Sequence, residues 1–229
     1  MLERSMANRR TMISLSVAAA ALLPAAASAF AAGAHGRNAR TSAARKAART
    51  DKTFRTAAAL RDLWVGHIFW VRAVSIAVIN KRDAAGKVAE QQAVRNAKAI
   101  AAAVEPFYGA AAKESFFKLL AGHYTAVKQY LLATVSGDAA AQSAATQSLT
   151  SNADEIATFL SKANPYLPKD AVQGLLLAHG GHHIQQIQQL KDGKYEPEAQ
   201  TWEEMKKHVY QIADATANAL AKQFAKKFA

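Results

Sequence analysis

Residues 172–191 read VQGLLLAHGGHHIQQIQQLK. Val172, Leu176, His179, His183, Ile187 and Leu190 recur at intervals of three and four, which places them on one face of an α-helix. A strand would need apolar and polar residues in alternation, and none occurs here. Gly180 and Gly181 lower the local helix propensity without interrupting the period. They can permit a close backbone approach, give access to the neighbouring histidines, or mark a kink. The apolar stripe therefore carries two imidazoles.

The same period extends outward. Residues 54–81 place Leu60, Leu63, Trp64, His67, Val71, Val74 and Val78 on one stripe, and residues 110–135 do so with Phe116, Leu120, His123, Val127 and Tyr130. Residues 198–227 repeat the pattern with Met205, His208 and Ile212, with His208 near the stripe edge. Alanine-rich stretches over 87–105 and 139–162 complete six expected helices. The breaks are a turn at 83–86, Pro106-Phe107-Tyr108-Gly109, Ser136-Gly137-Asp138, Asn164-Pro165-Tyr166-Leu167-Pro168 and a loop at 191–197. Connections this short join antiparallel neighbours. The expected fold is all-α: an antiparallel helical bundle over 54–229, of four long helices plus additional N-terminal helices. No internal repeat stands out.

The N-terminus reads differently. Asn8-Arg9-Arg10-Thr11-Met12-Ile13 opens a basic segment, an apolar run follows to about Leu23, and small residues end at Ala27-Ser28-Ala29. This predicts a signal peptide over 1–29, cleaved after Ala29 or alternatively Ala32, and a periplasmic or secreted protein. The paired arginines resemble the twin-arginine export signal, which carries folded proteins; a general secretory leader can also contain them. Residues 30–53 hold Ala, Gly, Ser, Thr and Arg with almost no large apolar side chain, and are expected to form a basic disordered arm.

Composition narrows the chemistry. The 229 residues include no cysteine, which excludes disulfides, thiolate metal sites, iron–sulfur clusters and covalently attached haem. The net charge is +12, and about +10 remains without the leader, enough to attract an anionic polymer or a membrane surface. A plain solvated basic surface is the simpler account of it. Lys222, Lys226 and Lys227 alternate with Phe224 and Phe228, an amphipathic end suited to solvent or to a membrane surface. No pattern for sequence-specific nucleic-acid readout is present. Gly-rich phosphate loops, nucleophile elbows and dinucleotide fingerprints are also missing. A histidine general base in a hydrolase or transferase would lack a nameable nucleophile, so no catalytic residue is nominated.

Histidine is the distinctive residue. Across an antiparallel hairpin, residues equidistant from the turn lie level, at about 1.5 Å rise per residue. His183 and His208 flank the 191–197 loop symmetrically, His179 falls level with Asn152, and His123 with Ser151 and Asn152. One layer thus gathers His123, Asn152, His179, His183 and His208. His182 sits on its flank, and His67 falls several residues away, beside Trp64 and Trp70. The metal-ligand candidates are His123, His179, His183, His208 and His182, with Asn152 and His67 as supporting cofactor contacts. Only Asp154 and Glu155 bring carboxylates near, too few for a ferritin-like di-iron centre. An all-nitrogen set suits copper, zinc or nickel, with copper and zinc foremost. Two facing histidines can instead ligate a non-covalent haem. A packed hydrogen-bond network is the remaining alternative.

Several segments also resemble a family of small exported bacterial helical-bundle proteins. They are Leu63-Trp64-Val65-Gly66-His67, Pro106-Phe107-Tyr108-Gly109, Leu119-Leu120-Ala121-Gly122-His123, Asn152-Ala153-Asp154-Glu155-Ile156-Ala157 and Ala163-Asn164-Pro165. The likeness covers most of residues 60–220 and implies matching roles for His67, His123, Asn152 and His179. Relatives carry names such as glycosyltransferase or acetylglutamate kinase, but no nucleotide site accompanies the likeness here. The family usually has Glu before the last histidine, where this chain has Ala178.

Overall fold

The computed structural model describes residues 35–229, with side chains from residue 42. The expected leader, 1–29, and its cleavage point lie outside the described residues. Among those described there are eight helical segments and no strand. They are α1 (His35–Ile79), α2 (Asp83–Ala102), α3 (Glu105–Tyr108), α4 (Ala110–Ser136), α5 (Ala139–Ala163), α6 (Lys169–Lys191), α7 (Tyr195–Gln223) and α8 (Ala225–Phe228). The chain is an all-α helical bundle.

Several element bounds differ from the expected ones, beginning with the turn expected at 83–86: those residues are the first turn of α2. Helix α1 reaches back to His35, through most of the stretch expected to be a disordered arm. Ala, Arg and Lys favour helix, and lengthening an existing helix avoids the cost of nucleation. Residues 42–50 are exposed, but Arg49 donates to Ala221 O at 2.9 Å and Lys52 donates to Ala229 O. The Pro106 break is a single helical turn, α3, with the proline near its start. Pro197 likewise falls in the first turn of α7, where its missing N–H costs nothing.

Superposed on this order is a threefold repeat with a period of 56 residues. Leu63, Leu119 and Leu175 are its first marker, and His67, His123 and His179 its second. Asn96-Ala97-Lys98-Ala99-Ile100-Ala101 recurs as Asn152-Ala153-Asp154-Glu155-Ile156-Ala157 and as His208-Val209-Tyr210-Gln211-Ile212-Ala213. The same hydrogen bond recurs too. Asn96 Nδ2 donates to Leu63 O at 3.0 Å and Asn152 Nδ2 to Leu119 O at 3.0 Å, while His208 Nε2 meets Leu175 O at 2.8 Å. Even the turns repeat, with left-handed backbone at Lys81 (φ 54°), Gly137 (φ 75°) and Gly193 (φ 70°). Each repeat is a helical hairpin: α1–α2, α4–α5 and α6–α7.

The hairpins pack into a closed ring. Helix α2 lies against α4, α5 against α6, and α4 also touches α6. Helices α1 and α7 close the ring through two ion pairs. Arg61 grips Asp214 at its surface, and Arg72 donates twice, at 2.6 Å each, to the buried carboxylate of Glu198. Gln186 of α6 donates to the same carboxylate at 2.8 Å. At the opposite end, the PFYG and ANP segments meet. Asn164 Nδ2 donates to Tyr108 OH, which donates to Gln223 Oε1, while Gln223 Nε2 donates to Ala163 O.

Two apolar clusters fill the ring. One holds Leu60, Trp64, Phe116, Leu120, Val172 and Leu176 with facing residues of α2, α5 and α7. The other holds Val71, Val74, Val127, Tyr130 and Ile187 with neighbours from α2 and α5. In sequence, His67, His123 and His179 fall between the residues that α1, α4 and α6 give to these clusters. The segment Ser42–Ile79 is long and apolar enough to cross a membrane by length and composition. Its Leu60, Trp64, Ile68, Val71 and Val74 are buried in this core instead. By its contacts the chain groups into Met1–Arg40 and Thr41–Ala229, and the ring belongs to the second.

Candidate metal centre

Each repeat sends one imidazole to the middle of the ring. His67, His123 and His179 stand at equivalent positions of α1, α4 and α6, and His183 joins them one turn beyond His179. All four are buried, and one nitrogen from each lies within 4.8 Å of the others. The rings touch pairwise. Centroids are 5.9 Å apart for His67–His123, 5.4 Å for both His67–His179 and His123–His179, and 4.6 Å for His179–His183. Trp64 covers the group edge-on, 5.8 Å from His67 and 5.9 Å from His179.

The repeats also show why the backbone allows this. Helices approach closely where Asn96 crosses Gly66: a Cβ on that glycine would stand 2.8 Å from Asn96 Nδ2. At Gly122 a Cβ would stand 3.2 Å from Asn152 Nδ2. In the third repeat Ala178 replaces the glycine and the longer His208 replaces the asparagine. There the imidazole of His208 makes the bond to Leu175 O that asparagine makes to the matching leucine carbonyl in the other repeats.

The electrostatics are those of neutral ligands. Burial pushes His67 down to about 3, with His123 adding to the effect. Burial pushes His123 down to about 4, opposed by the Asn152 side chain. His179 and His183 are held well below the ordinary histidine range, chiefly by burial and then by the neighbouring imidazoles. All four are therefore uncharged at neutral pH, with a lone pair each. His179 Nε2 and His183 Nε2 face each other at 3.2 Å. His67 Nε2, His123 Nε2, His179 Nδ1 and His183 Nδ1 are buried without a hydrogen-bond partner. Leaving such groups unsatisfied costs about 1–3 kcal/mol each, so a self-contained hydrogen-bond network accounts poorly for the cluster.

Four buried histidines this close can hold a metal ion. A tetrahedral ion takes imidazole nitrogen at roughly 2.0–2.1 Å, which sets nitrogens roughly 3.3 Å apart. The His179–His183 edge already has that length, and the other ligands need a modest contraction. A haem fits less well. The rings pack directly on one another, and the adjoining cavity, lined by Trp64, Leu120, His123, Leu176 and His179, is only about 40 Å³.

The nominated residues divide into two groups. His123, His179 and His183 come together as a cluster, and His67, expected apart from the layer, completes it. His208 and His182 stand outside. His208 commits Nε2 to Leu175 O and stacks on His179 at 6.4 Å. His182 lies 5.2 Å from His208, half-buried, with Glu204 of α7 near enough to raise its proton affinity against burial and His208. Asn152 sits beside His123 but spends its amide on Leu119 O. The 56-residue spacing of His67, His123 and His179 was the signal in the sequence that would have placed His67. No family model, no curated protein and no solved structure matches the chain.

Proposed function

We propose that this is an exported protein that binds a transition metal, copper or zinc, through His67, His123, His179 and His183. One observation carries the reading: four uncharged, buried imidazoles from three helices converge on one point with nitrogens left unpartnered. The donor set supports the choice of ion. Neutral nitrogens suit copper and zinc, copper being favoured by intrinsic affinity and zinc by tetrahedral geometry. The arginine pair of the N-terminus supports export of a chain already folded, with its site formed. Metal analysis of protein purified from its native compartment tests the reading, together with melting of stripped and reloaded samples. One ion per chain and a raised melting temperature are expected. Metal-free protein whose melting does not respond to copper or zinc would refute it.

A second reading has its own observation. Arg45, Lys46, Arg49, Lys52 and Arg55 are exposed along the start of α1. We read this as a surface for an anionic polymer or membrane. Binding to polyphosphate or anionic vesicles that weakens with salt and is lost when these residues are neutralised would support it. Binding that survives neutralisation would exclude it.

A further inference from the structure

The third repeat departs from the other two in one chemical direction. Where the first two carry Val71 and Val127, it carries His183; where they carry Trp70 and Ala126, it carries His182; where they carry Asn96 and Asn152, it carries His208. The other repeats show that the fold is served without any of these imidazoles. His183 completes the central cluster. The other two form a line leading out of it, through buried His208 to half-buried His182.

We propose that His208 and His182 are a relay that carries the metal ion between solvent and the buried centre, across the seam where α6 packs on α7. This rests on the metal reading of the centre. The steps are short: 6.4 Å between the rings of His179 and His208, and 5.2 Å between His208 and His182. One ion bound at roughly 2.0–2.1 Å to two imidazoles spans ring centres roughly 5–6.5 Å apart, so each step is a single ligand exchange once the rings turn. The nitrogens are free for it. His208 donates its Nε2 proton to Leu175 O, which leaves the Nδ1 lone pair uncommitted. His182 Nδ1 has no hydrogen-bond partner. Exposed Glu204 gives the outer end a negative charge that draws cations. The backbone beside His179 is thinned as well. Gly180 stands where the other repeats have Ile68 and Tyr124, and a Cβ there would meet nothing within 4 Å. In each exchange the incoming imidazole donates a lone pair as the outgoing one or a water leaves, so neither electrons nor protons are transferred.

The repeats also supply the test. Ala178→Gly with His208→Asn rebuilds the Gly–Asn pairing of the first two repeats, and His182→Ala installs the residue of the second. Uptake of Cu²⁺ is followed by stopped-flow quenching of tryptophan fluorescence, since Trp64 contacts the centre. Release to a chelator is followed the same way, and bound copper is counted at equilibrium. The combined variant is expected to bind as much copper as wild type, with uptake and release each slowed at least about tenfold. Unchanged rates would overturn the relay while leaving the centre standing. A lost equivalent of copper would overturn it too, by showing that the pair stores an ion. If wild type bound neither copper nor zinc, the centre would fail, and the relay with it.

Discussion

His67→Ala removes the imidazole supplied by the first repeat to the proposed centre. It should weaken metal binding by more than about 100-fold, beyond what changes around a metal's ligands typically cost. Competition titration against a chelator of known affinity reads this directly, and an unchanged affinity would remove His67 from the centre. Heights reckoned from the turns leave His67 apart, because the uncertainty of each turn adds to the next along the chain. Height also carries no information about angle. His208 is level with the layer but is turned toward Leu175 O, and a stripe-edge position alone could not reveal that commitment. His123, His179 and His183 were legible because each sits centrally on an apolar stripe. A second residue-scale prediction concerns Gly66. Gly66→Ala would push a methyl to 2.8 Å from Asn96 Nδ2 and break its bond to Leu63 O. Urea unfolding should show a loss of about 1–3 kcal/mol. The equivalent position in the third repeat is already Ala178, so the penalty belongs to the asparagine partner and not to helix propensity.

At the scale of the element, the three hairpin turns share one backbone conformation but not one residue. Gly137 and Gly193 adopt φ 75° and φ 70° without steric cost, whereas Lys81 holds φ 54° with a side chain. Lys81→Gly should therefore stabilise the protein by about 1 kcal/mol, the left-handed penalty less the added freedom of the unfolded chain. Thermal melting would show it as a higher midpoint, and a lower one would mean that the lysine side chain makes up for its strain. The helices were readable from their period and breaks because each buries one face. The extension of α1 to His35 was not, since residues 42–50 are exposed and leave no apolar pattern. The 56-residue repeat was hidden by divergence: only the leucine, histidine, Asn/His and Ile-Ala positions persist, while most residues around them differ.

For the whole molecule, closing three hairpins into a ring places four imidazoles where water cannot reach them, and that has a pH signature in metal-free protein. Unfolded histidines take up protons near pH 6.5, while folded His67 waits until about 3 and His123 until about 4. Between those values the unfolded chain binds more protons, so stability falls as pH falls, by about 1.4 kcal/mol per pH unit for each such histidine. Full stability is expected above pH 7, with a steep loss from about 6.5 downward. Urea midpoints at pH 7.5 and 5.5 would check this, and equal midpoints would show that the imidazoles are not buried. Bound metal should oppose the loss, because protons and the ion compete for the same lone pairs. In the proposed centre these four side chains alone surround one ion. X-ray absorption of the copper- or zinc-loaded protein tests it most directly. A shell of four imidazole nitrogens at roughly 2.0–2.1 Å is expected; a shell with carboxylate oxygen, or with fewer than four imidazoles, would rule it out.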